Sequence, residues 1–418
     1  MNSSDSINRI NRTNHNKIRL IFRIFIAIII LFNMATAEKM DTFVNEAESC
    51  RGFSSKLYKV VSEDFGGNVI TSPLSVHVVL SYLSHGASGE TAVEMINGLS
   101  IKDTKLLHIG YKNLLSTLNS VNEADLRLAN AAFVHENVEL LPTFSALGTG
   151  FYNFFMQNID FQNNIDSAIT INNWVADKTD NMIADIIDSN DITDDTRAIL
   201  INALYFKGLW KYPFDIQHTE NKIFYVTKDI HKQVPTMKNK HHYSYGELPE
   251  LESKFIEIPY KDDNLSMLII LPDETYALSS LEKNFNWNAI TQAATKKQEI
   301  VLQLPKFKIE CTLNLKETLS KIGFQSMFED VANFSDMTIT PVKITKIIQK
   351  VFIEVDEKGS EAAAATVVQM RLKRSLDLSE EFIVDRPFMF IIRHKPSDIP
   401  LFIGSVRDIG VFVEKDEL

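Results

Sequence analysis

The chain has 418 residues, 45% hydrophobic and 23% charged, with a formal net charge of −11. This composition excludes a disordered or fibrous chain and is enough for a large core, while the acidic balance excludes a general nucleic-acid binder because it repels phosphate. No Gly-rich phosphate loop or zinc-ligand spacing occurs, so no metal or other cofactor is expected.

The amino terminus reads as a targeting segment. Arg9, Arg12, Lys17, Arg19 and Arg23 precede an apolar run, Ile24 to Phe32, that is too short to span a bilayer, and Ala35-Thr36-Ala37 supplies a small-residue cleavage pattern. Residues 1–37 are therefore expected to leave as a signal peptide, with an uncleaved anchor as the competing reading. Their removal takes five cations and one anion, leaving 38 cations, 53 anions and a net charge of −15. Residues 38–418 read as one domain, since no internal repeat or Gly/Pro/Ser-rich linker divides them. Cys50 and Cys311 are the only cysteines; their number permits a disulfide, and two buried thiols is the preferred reading. A secretory route makes the sequons at Asn264 and Asn333 glycan candidates.

Along the body, Ser72 before Pro73 is a helix start, and the apolar run Val76 to Leu83 continues it. His85 to Thr91 breaks that helix, and a second follows. The spacing of Trp174, Val175, Met182, Ile183 and Ile186 predicts a helix over Ile171 to Ile187. Ala198 to Phe206 is nearly all apolar apart from Asn202, which suits a strand buried on both faces. Met267 to Pro272, Ile300 to Leu304, Val351 to Val355, Phe388 to Ile392 and Pro400 to Gly404 read as further strands.

The stretch from Glu357 to Phe388 fits none of these patterns. It opens Gly359-Ser360-Glu361, then Ala362, Ala363, Ala364 and Ala365, then Thr366-Val367-Val368. As a helix piece the alanines would be unremarkable, since alanine has the best helix propensity. As a strand, the even positions Ser360, Ala362, Ala364, Thr366, Val368 and Met370 share one face, all small or apolar, while Glu361, Gln369 and Arg371 lie on the other. About thirty residues between strands without a pattern of their own are usually functional.

Next comes Arg371-Leu372-Lys373-Arg374-Ser375, a cationic cluster that reads either as solvated surface or as protease bait. The chain closes on Lys415-Asp416-Glu417-Leu418. At an extreme carboxyl end behind a signal peptide, this tetrapeptide is the address read by the endoplasmic-reticulum retrieval receptor. An endoplasmic-reticulum protein, escaping in part to the medium, is the expectation.

Several motifs together resemble the serpin family: Asn68 to Ser75, Leu128 to Ala131, Ile171 to Val175, Asn202 to Trp210, Pro213-Phe214, Leu304 to Phe307, Asp385 to Phe388 and the Gly359-to-Thr366 hinge. The resemblance spans about Phe53 to Val406. It implies an α+β fold with about nine helices, three β-sheets and an exposed reactive-centre loop, here about residues 357–387, in a monomer that is not an enzyme. It implies the mechanism too: a serine endopeptidase attacks the loop, the cleaved hinge inserts into the central sheet, and the acyl-enzyme is dragged away. Ser72 and Asn202 are the implied partners, at a buried sheet-opening site, of Gln349, where the family usually has histidine; this departure bears on pH sensitivity and ease of opening.

The family's commonest loop length, counted from Gly359, puts the reactive bond at Lys373–Arg374 and suits a trypsin-like enzyme. Furin-like proprotein convertases select Arg-x-Lys/Arg-Arg through acidic subsites, a demand met by Arg371, Lys373 and Arg374 if the bond is Arg374–Ser375. The second register is favoured because all three cations then find charge-assisted partners. A non-inhibitory chaperone of the endoplasmic reticulum is the rival from another class.

Overall fold

The computed structural model describes residues 46–102, 104, 107–119, 124–358 and 380–410. The signal segment, the Gly359-to-Thr366 hinge, both candidate reactive bonds and the retrieval tail lie outside the described residues.

A first helix, α1 (residues 46–64), leads into a short strand, β1 (Val69–Thr71). Ser72 then caps α2 (Pro73–Ser84): its side chain accepts from the Ser75 amide, and Pro73 takes the first helical position, where a missing N–H costs nothing. Two more helices, α3 (Gly89–Leu99) and α4 (Leu107–Asn119), precede the strand β2 (Ala124–His135). After α5 (Pro142–Leu147) and β3 (Phe155–Ile159), the helix α6 (Asn164–Lys178) packs on the sheet.

The helix expected through Ile187 stops nine residues earlier. Asp180 and Asn181 take left-handed backbone angles, with φ of 47° and 61°, which a right-handed helix cannot continue through. Ile183, Ile186 and Ile187 are buried as the spacing suggested, but from an irregular strap of bends instead of a helix face.

The strap feeds β4 (Ala198–Gly208). It pairs with β2 on one side and with β11 (Lys346–Val355) on the other, completing a five-stranded sheet in the order β10-β11-β4-β2-β3, where β10 is Phe307–Asn314. β4 is buried on both faces, as its sequence suggested: Leu200 and Leu204 face the main core, Ile199 and Ile201 a second core beneath α6 and the strap.

The remaining strands are β5 (Glu220–Tyr225), β6 (His231–Leu248), β7 (Ser253–Pro259), β8 (Leu265–Pro272), β9 (Thr295–Pro305), β12 (Glu380–Ile383), β13 (Phe388–His394) and β14 (Ile399–Val406). With β1 they form one nine-stranded sheet. The two further sheets expected from the sequence are continuous here because β6, 18 residues long, pairs with β5 in its first half and β7 in its second. Short helices α7 (Leu278–Asn284), α8 (Trp287–Gln292) and α9 (Lys316–Lys321) bring the described helices to nine. The main core lies between the two sheets, and the loop stretch leaves the end of β11 and returns as β12.

Candidate functional site

The seam between β4 and β11 is a parallel pair, running from Lys346 opposite Ile199 to Ile353 opposite Phe206. Its outer neighbours, β10 beside β11 and β2 beside β4, pair antiparallel. A segment that leaves β11 and doubles back runs antiparallel to β11, and between these strands it would run antiparallel to both. Insertion would replace one parallel ladder by two antiparallel ones, and antiparallel pairing is slightly the more stable per residue.

Amide side chains close the inner face of this seam. Asn130, Asn202 and Gln349 stand opposite one another on β2, β4 and β11. The Gln349 oxygen accepts from the Thr71 hydroxyl (2.6 Å) and the Ser72 amide (3.0 Å). Its nitrogen donates to the Ser72 carbonyl (3.1 Å) and to Asn202 Oδ1 (2.5 Å). All four hydrogen-bonding positions of the side chain are thus filled, in a residue with no exposed surface. Asn202 in turn donates to Ser75 Oγ and Asn130 Oδ1. The structure therefore brings Gln349, Ser72 and Asn202 together. Thr71, Ser75 and Asn130 complete the network, and the sequence had not singled them out.

The outer face is covered differently. Asn172 on α6 accepts from the Ile186 and Ile187 amides and donates to the Ile187 carbonyl. Lys350 of β11 reaches the Asp185 carbonyl (2.6 Å) and pairs with Glu310 (2.8 Å), and Lys346 pairs with Asp191 (2.8 Å). The strap is therefore tied both to α6, which packs on β2, and to β11, one strand of the seam. A lone lysine in the apolar run of β11 was the available sequence signal for this.

Where β11 gives way to the loop, Glu357 is buried and its carboxylate accepts from Lys306 Nζ (2.9 Å) and the Thr219 hydroxyl (2.8 Å). Burial pushes the Glu357 carboxyl up, but these hydrogen bonds prevail and hold it below its ordinary value. Trp210 Nε1 donates to the Asp356 carbonyl (2.9 Å), and the Phe214 amide to the Glu357 carbonyl (2.9 Å). At the far end of the loop, β12 pairs in parallel with β9, seating Phe382 in the core, and Arg386 donates to the Pro272 carbonyl. Both feet are fixed.

Cys50 and Cys311 are free and buried; burial pushes the Cys50 thiol up to about 12 and raises Cys311 also, which makes both inert. Asn264 and Asn333 are both exposed. Among the described residues no helix is long and apolar enough to cross a membrane.

The fold is that of known proteins. The serpin (serine protease inhibitor) family pattern matches residues 48–409. Alaserpin of Manduca sexta is 34% identical over 391 residues, covering 92% of this chain and 99% of that one. Among solved structures, Serpin48 of Tenebrio molitor has a TM-score of 0.80 at 32% identity, with 88% of this chain and 98% of that one covered. Uncleaved ovalbumin has a TM-score of 0.80 at 25% identity, covering 86% and 98%. The chain belongs to the serpin family, as a protease inhibitor and not an enzyme.

Proposed function

We propose that this serpin traps a furin-like proprotein convertase in the early secretory pathway. The observation that carries the proposal is the parallel β4–β11 seam lying directly upstream of a segment whose even positions, Ser360 to Met370, bear no charge. The protease serine attacks the Arg374 carbonyl; the bond to Ser375 breaks, the new amino terminus leaves with a proton, and an ester joins Arg374 to the enzyme. Water would complete hydrolysis, and insertion has to be faster. Roughly ten ladder hydrogen bonds at about 0.5–1.5 kcal/mol each supply on the order of 10 kcal/mol to drive it, together with burial of the small and apolar face.

The target follows from the bait. Arg371, Lys373 and Arg374 match three acidic subsites when the bond is Arg374–Ser375, and lengthening a flexible loop by one residue costs little. The signal segment and the Lys415-to-Leu418 tail would hold the protein where convertases mature, with Asn264 and Asn333 as glycan acceptors.

The test is to mix the mature chain with furin and look for a complex that survives boiling in detergent, then to sequence the released fragment. A new terminus at Ser375 supports the reading; one at Arg374 supports the trypsin-like alternative; no complex with either enzyme supports the chaperone. Ala364→Arg should convert the inhibitor into a substrate, because a cation on the inserting face has no partner in the core. Deleting Lys415 to Leu418 should release the protein to the medium, and equal secretion with and without the tail would remove the retrieval reading.

A further inference from the structure

On an acidic chain, the sheet carrying the return strand of the loop reverses sign locally. Lys222, Lys232, Lys238 and Lys240 lie on β5 and β6, and Lys296 and Lys297 on β9. Lys222 pairs with Glu220, Lys232 with Asp408 and Lys240 with Glu299. Lys238, Lys296 and Lys297 are exposed and have no acidic partner within 4 Å among the described residues.

The register decides which of these share a face. Lys238 stands opposite Gln303, and Lys240 opposite Val301; on the other side of β9, Gln303 stands opposite Ile383 and Val301 opposite Glu381. Residues directly opposite point the same way, so Lys238, Lys240, His242 and Lys297 lie on the outer face together with the anions Glu299, Glu381 and Glu220. Glu220, opposite Thr236, is close enough for its charge to act on Lys238, while Glu257 on the same face is paired with Arg393. Phe382 and Ile300 point into the core. Lys238 lies two strand spacings, about 10 Å, from β12. Arg374 is six residues before Glu380, a span of at most about 20 Å when extended. A protease holding Arg374 is thus within reach of this sheet face.

We infer that Lys238 and Lys297 form a second contact with the captured protease, meeting the acidic surface around the groove of an enzyme that selects several cations at once. The inference rests on the convertase reading above. An enzyme needing one cation before the cut lacks that matching surface, so the two lysines act on target choice. Their action is on encounter: exposed charges steer association and are screened by salt.

The experiment compares the mature chain with Lys238→Glu/Lys297→Glu against furin and against trypsin, at about 0.05 M and about 0.5 M salt. The association rate with furin should fall about tenfold at low salt and converge at high salt, with trypsin unchanged within about twofold and Lys238→Arg/Lys297→Arg behaving as the parent. Equal rates for furin, in a parent that does trap it, would overturn the inference and leave the convertase reading standing. A parent that never traps furin overturns both. A parallel loss toward trypsin overturns it by assigning the effect to a disturbed loop, as does lost retention on heparin with an unchanged furin rate, which assigns the surface to a polyanion.

Discussion

At Gln349 the seam is closed by amides and hydroxyls alone, whereas eight residues further along the same chain Glu357 closes the foot of the loop with a carboxylate against the Lys306 ammonium. Both are buried, and both join β11 to distant segments. The neutral network holds the two strands together partway along the seam that insertion would have to open, and no group in it changes charge between pH 5 and 8. The charged latch holds the point from which the inserting segment would pivot, and it depends on ionisation. A strand that would later have to move aside is thus held by two kinds of bond that respond to different perturbations.

The comparison breaks most sharply at the latch. Glu357→Lys would set two cations against each other where little water reaches, and should cost about 3–4 kcal/mol, read as a lower urea midpoint of the mature chain. A change below about 1 kcal/mol would show that the latch contributes nothing. Gln349→Ala strands the Thr71 hydroxyl, the Ser72 amide and Asn202 Oδ1, while the Ser72 carbonyl keeps the Val76 amide, and should cost about 2–3 kcal/mol. If it is neutral, the seam is held by the ladder and not by its side chains.

pH separates the two regions. The Glu357 carboxyl is held below its ordinary value in the folded chain, so its stabilisation is fully present above the unfolded value of about 4.3 and is lost as pH falls through the folded one. Glu357→Gln should therefore be less stable than the parent by about 1 kcal/mol at pH 7, and the difference should vanish only as the pH falls through the lowered folded value. The Gln349→Ala difference should stay constant over the same range. A Gln349→Ala difference that also fades in acid would remove the distinction.

Much of this arrangement could be read from the chain. Ser72-Pro73 announced α2, and the apolar run of β4 announced its double burial, because both signals are local. Gln349, Ser72 and Asn202 were reachable as a set only through the family resemblance. The latch was not legible, since Glu357 and Lys306 lie far apart in sequence and nothing local marks either as a partner. The strap was misread as helix because apolar spacing reports burial, and burial at helix-like intervals can also arise from an irregular, bent segment. Asp180 and Asn181 were the overlooked signal, as residues that tolerate the left-handed turn.

The smallest effect is expected on the outer face of the same strand, at Lys350, although its side chain is also buried and also bridges segments. Lys350→Met keeps the length and apolar stem and removes the charge. The two partners left behind are not stranded: Asp185 is exposed, and the Glu310 side chain is half exposed, so water can replace the lysine at both. The ammonium no longer has to be taken out of water, a penalty that often offsets the worth of a buried pair. The net change in the urea midpoint should therefore stay within about 1 kcal/mol, of either sign. Lys350→Ala should be worse than Lys350→Met, since it also opens a cavity beside Ile348 and Phe352. A loss above about 2 kcal/mol for the methionine variant would mean that the strap locks the seam as firmly as the amide row does, and the contrast between the two faces would fail.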